Sequence, residues 1–334
     1  MHEIRTAVVG AGKMGAIHAR VYDQLPQSDF VAVVDVDVKK AEKLAKKYNC
    51  SAFTDCRHIL DRVDAVTIST PTVHHPRLAE LFIKNNIAVM IEKPLAADVK
   101  EGRRIVQLAK ENGTVAAVGH SERCNPVVQA MKRLNIEPKF IEASRISPYP
   151  FRSTDVGVVL DVMIHDIDIV LSLAASPIKK VDAVGVSVID EKEDICNARI
   201  VFESGCIANI TASRLALKTE RKVRLFSRQA YLSLDYLKKS GTVIKAKPNI
   251  DIVEKVRRLK RHGKLDLLKV NWPDLLHIEK LEIDDKEPLR VEQEAFLRAV
   301  ADKTARPEVS AQQALAALEC AEMILASAAK HTWD

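Results

Sequence analysis

An α/β domain with a doubly wound parallel sheet, followed by an α+β domain with a large, mainly antiparallel open sheet, is the architecture this sequence predicts. Three observations carry that expectation. The chain has 334 residues, beyond the usual single-domain size, and its 47% hydrophobic residues can fill two cores. From residue 4 to about 120, short β-branched runs alternate with amphipathic helical stretches, the pattern of right-handed βαβ crossovers. After about residue 123 the pattern turns to strand-like runs joined by tight turns such as "ESG", which reads as antiparallel pairing. Residues 1–122 are therefore expected to form the first domain, and residues 123–334 a second that holds substrate and mediates oligomerisation.

The elements follow in order. "IRTAVVG" is a strand leading into a helix, "FVAVVDV" precedes the helix "KKAEKLAKKY", and "AVTIST" precedes "HHPRLAELFIKNN". Next come "AVMIEKP", the helix "DVKEGRRIVQLAKENG" and the strand "VAAVGH". Past the change of pattern, one helix and an apolar segment at 156–174 lead to the strands "VDAVGVSVID", "NARIVF", "CIANITAS", "KVRLFS" and "AYLSLD". A basic segment and "NWPDLLHIEK" are expected to interrupt the sheet, and amphipathic helices at roughly 291–303 and 310–330 close the chain.

Composition narrows the function classes. "MHEIRTAVVGAG" has no basic n-region followed by a long apolar run, and no later window approaches ~18 uninterrupted apolar residues, so export and membrane spanning are not expected. Six cysteines lie far apart without a C-x-x-C pair, which fits core thiols in a reducing cytoplasm better than disulfides or zinc ligands. The +6 formal charge is not spread evenly, because Lys255, Arg257, Arg258, Lys260, Arg261 and Lys264 crowd "VEKVRRLKRHGK" at 253–264. With aromatics at 4% and no reading motif, that segment is expected to be a basic face that is solvated or drawn to an acidic partner or ligand rather than a nucleic-acid site.

Gly10, Gly12 and Gly15 form G-x-G-x-x-G after a strand and at the mouth of a helix, and Asp35 ends the next strand 20 residues after Gly15. In this context Gly10 permits a tight turn, Gly12 lets backbone amides reach a pyrophosphate, and Gly15 lets the helix pack on the sheet. Asp35 is expected to accept hydrogen bonds from the adenosine ribose and to repel a 2′-phosphate, which favours NAD over NADP despite Lys39 and Lys40 nearby. Lys13 either approaches phosphate or stays solvated.

"STPTVHH" (Ser69 to His75) and "EKP" (Glu92, Lys93, Pro94) sit at the carboxyl ends of strands, where doubly wound folds bind ligands. Lys93 can hold its ammonium near a substrate hydroxyl, or be one half of a surface Glu–Lys pair with Glu92. In "VVLDVMIHDIDIV", Asp161, His165 and Asp168 fall at i, i+4 and i+7 on one helix face, while Asp166 points elsewhere and reads as structural. A histidine beside carboxylates can take a proton from an alcohol. By residue type alone, the trio could equally be a hydrogen-bonded buried cluster or a metal site with further ligands.

"GAGKMG", the T-P-x-x-x-H piece, "EKP" and D-x-x-x-H occur here in the order in which they occur in the Gfo/Idh/MocA family of Rossmann oxidoreductases, which this chain resembles over nearly its whole length. The resemblance implies an NAD-dependent dehydrogenase of CH–OH groups in which Lys93 binds the reacting hydroxyl, His165 is the general base and Asp161 orients substrate or lysine. It also implies a cofactor channel lined by Gly10, Gly12, Lys13, Met14, Gly15, Asp35, Thr70, Pro71 and His74, with Glu92 near the nicotinamide ribose and no metal. Within the family, "VGHSERCNP" and the segment from Ser147 to Leu173 look most like the branch that oxidises UDP-N-acetylhexosamines at the 3-position. Candidate substrate contacts are Arg123, Asn125, Arg152 and Asp168, with Arg145 and Arg214 as further cations for a diphosphate. Alternatives are a free-sugar or cyclitol dehydrogenase, a biliverdin-reductase-like enzyme, and a non-catalytic dinucleotide-binding sensor. An uncovered sheet face in the second domain suggests a homodimer or homotetramer.

Overall fold

The structure is a computed structural model that describes residues 3–149, 156–189, 191–247, 257, 261 and 275–331. In chain order its elements are β1 (Ile4–Val9), α1 (Lys13–Gln24), β2 (Ser28–Val34), α2 (Val38–Lys47), β3 (Ser51–Phe53), β4 (Ala65–Ile68), α3 (His75–Lys84), β5 (Ala88–Glu92), α4 (Val99–Asn112), β6 (Ala116–Gly119) and α5 (Pro126–Lys132). There follow β7 (Phe140–Ile146), α6 (Ile164–Ala174), β8 (Ile178–Val186), β9 (Ile195–Phe202), β10 (Ile207–Ser213), β11 (Glu220–Phe226), β12 (Ala230–Asp235), β13 (Ser240–Ala246), β14 (Leu276–Lys280), α7 (Pro288–Ala301) and α8 (Ala311–Ala328).

Two compact units interleave along the chain. One gathers Met1–Asn125, Val159–Ile169 and Lys286–Ala326; the other gathers Pro126–Val158, Val170–Asp285 and Ser327–Asp334.

In the first unit, parallel strands in the order β3-β2-β1-β4-β5-β6 form the predicted doubly wound sheet. Strand alternation divides its core between two faces. Ala7, Val9, Ile68, Val89 and Ile91 cluster with Phe82 of α3, Ile105 of α4 and Leu315 and Leu318 of α8. Val8, Val33, Ala65 and Met90 cluster with Tyr22 of α1, Leu44 of α2 and Phe296 and Leu297 of α7. The closing helices thus return to the first sheet, one on each face. β3 eludes a reading by periodicity because it is a three-residue edge strand.

Helix ends follow local chemistry. Asp98 caps α4 by accepting from the Glu101 amide at 2.9 Å, and Gly113, at φ 61°, ends it in the left-handed region.

The second unit holds the predicted open sheet, in the order β14-β13-β12-β11-β7-β10-β9-β8, antiparallel except where β7 runs parallel to β10. Ile141, Ile200, Ile210, Val223, Leu225, Leu232 and Val243 are buried from alternate positions. On the alternate positions, Phe140, Phe226 and Tyr231 form an aromatic row with centroids 5.9 and 4.8 Å apart. Three strands of this sheet, β7, β13 and β14, were not among the sequence expectations. Central β7 carries polar residues on alternate positions, and β14 lies inside "NWPDLLHIEK", which extends the sheet beside β13 rather than interrupting it. The basic segment 253–264 lies outside the described residues, apart from exposed Arg257 and Arg261.

Candidate active site

The glycine segment spans the carboxyl edge of the first sheet, between β1 and α1. Gly10 has φ +102°, and a Cβ on it would lie 2.3 Å from the Ser69 carbonyl oxygen; one on Gly15 would lie 1.7 Å from that of Gly10. A Cβ on Gly12 would meet nothing within 4 Å, so the space beside it is open. No side chain caps α1, which leaves its first amides available to a ligand.

Asp35 is fixed from two sides: Oδ2 accepts from the Ala11 amide at 2.7 Å and Oδ1 from the Asp37 amide at 2.8 Å. Each oxygen keeps capacity for a ribose hydroxyl. A cavity of about 810 Å³ is lined by Gly10, Gly12, Asp35, Thr70, Pro71 and His74 among others. An open glycine cradle, an uncapped helix start and an anchored acid at the end of β2 together fit a dinucleotide. Lys13 and Met14 are exposed on the first turn of α1, outside that lining.

Lys93 follows β5 directly. Its Nζ donates to the Asp161 carbonyl at 2.8 Å and to Asp161 Oδ1 at 2.9 Å, with the two side chains 22% and 23% exposed. Val159–Met163 is a π-helical turn running into α6, where the spacing had suggested a regular α-helix. In that turn Asp161 presents both its main-chain and its side-chain oxygen to one ammonium. Lys93 has three N–H donors, so one remains for a substrate oxygen. His165 stands one helical turn beyond Asp161, half-buried, its ring edge-on to that of His120 with centroids 6.3 Å apart. Asp166 is buried, 2% exposed.

Other expected substrate contacts are placed differently. The Arg123 guanidinium grips Asp168 through Nε at 2.7 Å and Nη2 at 2.6 Å, with side chains 4% and 0% exposed. The contacts expected of Arg123 and Asp168 give way to an internal ion pair, because a buried charge needs a partner before it can serve a ligand. Asn125 is buried, its Nδ2 3.5 Å from Glu122 Oε2. In the second unit, Arg214 is fully buried against Asp194 at 2.7 Å and donates to the Val156 carbonyl, which fits a structural brace. Arg145 is likewise buried. Arg152 lies outside the described residues.

Three groups were not singled out from sequence. His74 lines the cavity, whereas buried His75 sets its Nδ1 3.0 Å from the Pro94 carbonyl and its Nε2 3.0 Å from the Thr70 carbonyl, tying the "STPTVHH" loop to "EKP". Burial lowers His75 below the usual histidine range even though both carbonyls favour its charged form. The T-P-x-x-x-H spacing itself counts from Thr70 to His75 and could have found it. His120, 1% exposed, is also lowered, first by burial. Glu292 on α7 is 2% exposed, neither carboxyl oxygen meets a partner among the described residues, and burial, followed by the charges of Glu92 and Asp168, raises it well above the usual carboxylate range. No helix among the described residues is long and apolar enough to cross a membrane.

Comparison with known proteins gives a consistent picture. Residues 4–120 match the family model described as "Oxidoreductase family, NAD-binding Rossmann fold", and residues 140–233 match "GFO/IDH/MocA C-terminal domain". The UDP-N-acetylglucosamine 3-dehydrogenase of Acidithiobacillus ferrooxidans is 35% identical over 238 residues, covering 71% of this chain and 75% of the relative. The scyllo-inositol 2-dehydrogenase (NAD(+)) of Bacillus subtilis is 28% identical, covering 64% and 68%. A solved structure of the Acidithiobacillus enzyme superposes with a TM-score of 0.86 over 98% of each chain at 28% identity. Levoglucosan dehydrogenase in complex with NADH, at 17% identity and TM-score 0.83 over 98% of each chain, shares the fold.

Proposed function

The chain belongs to the GFO/IDH/MocA oxidoreductase family, with its NAD-binding Rossmann fold, and from that premise we propose that it oxidises the 3-hydroxyl of UDP-N-acetylglucosamine to the 3-keto sugar. The observation that carries the reading is the Lys93 ammonium, held by the main-chain carbonyl and Oδ1 of Asp161, which lies one helical turn before His165, and left with one further donor.

Gly10, Gly12 and Asp35 would hold the cofactor's phosphates and adenosine ribose, and Thr70, Pro71 and His74 would line its path. NAD, when bound, accepts the hydride leaving the carbinol carbon. Lys93 aims its remaining N–H at the reacting oxygen and stabilises the negative charge that develops there. Asp161 fixes the direction of that donor. His165 takes the hydroxyl proton, so the C–H electron pair leaves as hydride and the O–H pair closes the ketone. The second domain is assigned substrate binding and assembly into a homodimer or homotetramer, supported by the aromatic row Phe140, Phe226 and Tyr231 on its sheet, and the enzyme is assigned to the cytoplasm.

A cyclitol or free-sugar dehydrogenase is the second reading, supported by the likeness to an inositol dehydrogenase. Incubation with NAD and a panel of UDP-sugars, free sugars and inositols, with hydroxylamine to trap ketone, separates the two by absorbance of reduced nicotinamide. Turnover of UDP-N-acetylglucosamine is expected. Turnover of free polyols alone would replace the first reading with the second.

A further inference from the structure

Glu92 stands at the carboxyl end of β5, and β5 lies on the β4-β5-β6 side of the point where strand order reverses. Asp35 marks the opposite, adenosine side at the end of β2. In such a sheet a dinucleotide straddles the reversal, so the nicotinamide half falls on the side of Glu92 and Lys93. The carboxylate of Glu92 is 12% exposed and not free to turn: Oε1 accepts from His18 Nε2 at 2.7 Å, and Oε2 lies 3.3 Å from the Lys93 amide. A Cβ on Gly119 of the neighbouring strand would come within 3.2 Å of Oε1, so glycine there makes room for this placement.

His18, on α1, is itself fully buried, and its other nitrogen is also engaged. Gln293 Nε2 lies 3.0 Å from His18 Nδ1 and 3.3 Å from the His18 carbonyl oxygen. A carbonyl oxygen can only accept, so the shared atom is the amide NH2, and Nδ1 is then an acceptor without a proton. The imidazole is thereby fixed as the tautomer that donates from Nε2, and the group it faces must accept. Gln293, 0% exposed, comes from α7, some 270 residues further along the chain.

We propose that Gln293 and His18 form an orienting chain that keeps Glu92 ionised at the nicotinamide end of the site, where its negative charge favours the cationic, oxidised cofactor over the reduced one. Both are positioning residues: they act through Glu92. The inference rests on the reading that NAD lies across this sheet edge with its nicotinamide near Glu92. The other titratable groups around Glu92 are Lys93, His75, His120 and Glu292. Burial by itself raises Glu92, and the hydrogen bonds it accepts from His18 and from the Lys93 amide, together with the Lys93 charge, act against that rise.

The test is the ratio of dissociation constants for NAD and NADH, measured by calorimetry on full-length protein between pH 5 and 8, with thermal unfolding followed alongside. Glu92→Gln should lower the preference for NAD about tenfold. His18→Leu should do the same and move the acid limb of NAD affinity to higher pH, because burial then dominates Glu92. His18→Gln, which keeps a donor near the Nε2 position, should restore both. Gln293→Met should give a smaller change of the same sign. A wild-type ratio and pH limb in folded His18→Leu, with Glu92→Gln altered, overturns the orienting chain. A wild-type ratio in Glu92→Gln instead overturns the placement of Glu92 at the nicotinamide, and the inference with it.

Discussion

The glycine loop and the Lys93 cluster lie on one sheet edge and are built in opposite ways. At the loop, Gly10, Gly12 and Gly15 work by lacking side chains, and main-chain amides do the binding. At the cluster, Lys93, Asp161, Arg123 and Asp168 work by being charged and paired, and in the buried Arg123–Asp168 pair each charge needs the other. At the loop an added atom obstructs the ligand or the backbone. At the cluster, removing one charge strands its partner.

The largest expected effects test the cluster. Lys93→Met and His165→Ala should each lower kcat by about 10²- to 10⁴-fold while NAD affinity, measured by calorimetry, stays near wild type. An equal loss of NAD binding would place these residues in the cofactor site instead. Next comes the buried pair: Arg123→Met strands Asp168 and should cost about 3–5 kcal/mol in urea unfolding. A combined Arg123→Met, Asp168→Leu variant should recover most of that loss, as a purely structural brace requires.

Two alanines sharpen the loop side. Gly15→Ala, with a Cβ 1.7 Å from the Gly10 carbonyl oxygen, should reduce both thermal stability and NAD affinity. Gly12→Ala, whose Cβ meets nothing within 4 Å, should leave stability unchanged and weaken NAD alone. Asp35→Ala should weaken NAD without conferring useful NADP affinity, since Asp35 also holds the Ala11 amide of the loop.

The smallest effects concern pH. His75 and His120 have folded-state proton affinities lowered from the usual 6.5, so below that pH the unfolded chain binds more protons and stability falls as pH drops. Glu292 runs the other way: its affinity is raised above 4.5, so the folded chain holds the extra proton and stability falls as pH rises through that window. Glu292→Gln should therefore raise the melting temperature at pH 8 more than at pH 5. An equal rise at both would mean the carboxyl is not held neutral.

Much of this was legible in the sequence because the signals are local. Alternation gave the strands that became β1, β2, β4, β5 and β6, and turn glycines marked the loop. The Lys93, Asp161 and His165 assignments came from motif order, and the structure brings the first two into contact. β7 was missed because its alternate polar residues lie on the less buried sheet face, and β3 because three residues show no period. His75, adjacent to His74, was hidden by a one-residue difference in which way the side chain faces.

The sequence by itself determined the dinucleotide loop, the order of the parallel strands' motifs and the residue types available for proton and hydride chemistry, since backbone constraints act between near neighbours. Only the tertiary structure decided that Arg123 closes on Asp168, that α7 and α8 return to opposite faces of the first sheet, and that Gln293 reaches His18. Those pairings are chosen by burial across more than a hundred residues of chain in some cases, where a polar group must find whichever partner the packed core leaves within reach, and no local pattern records which one that is.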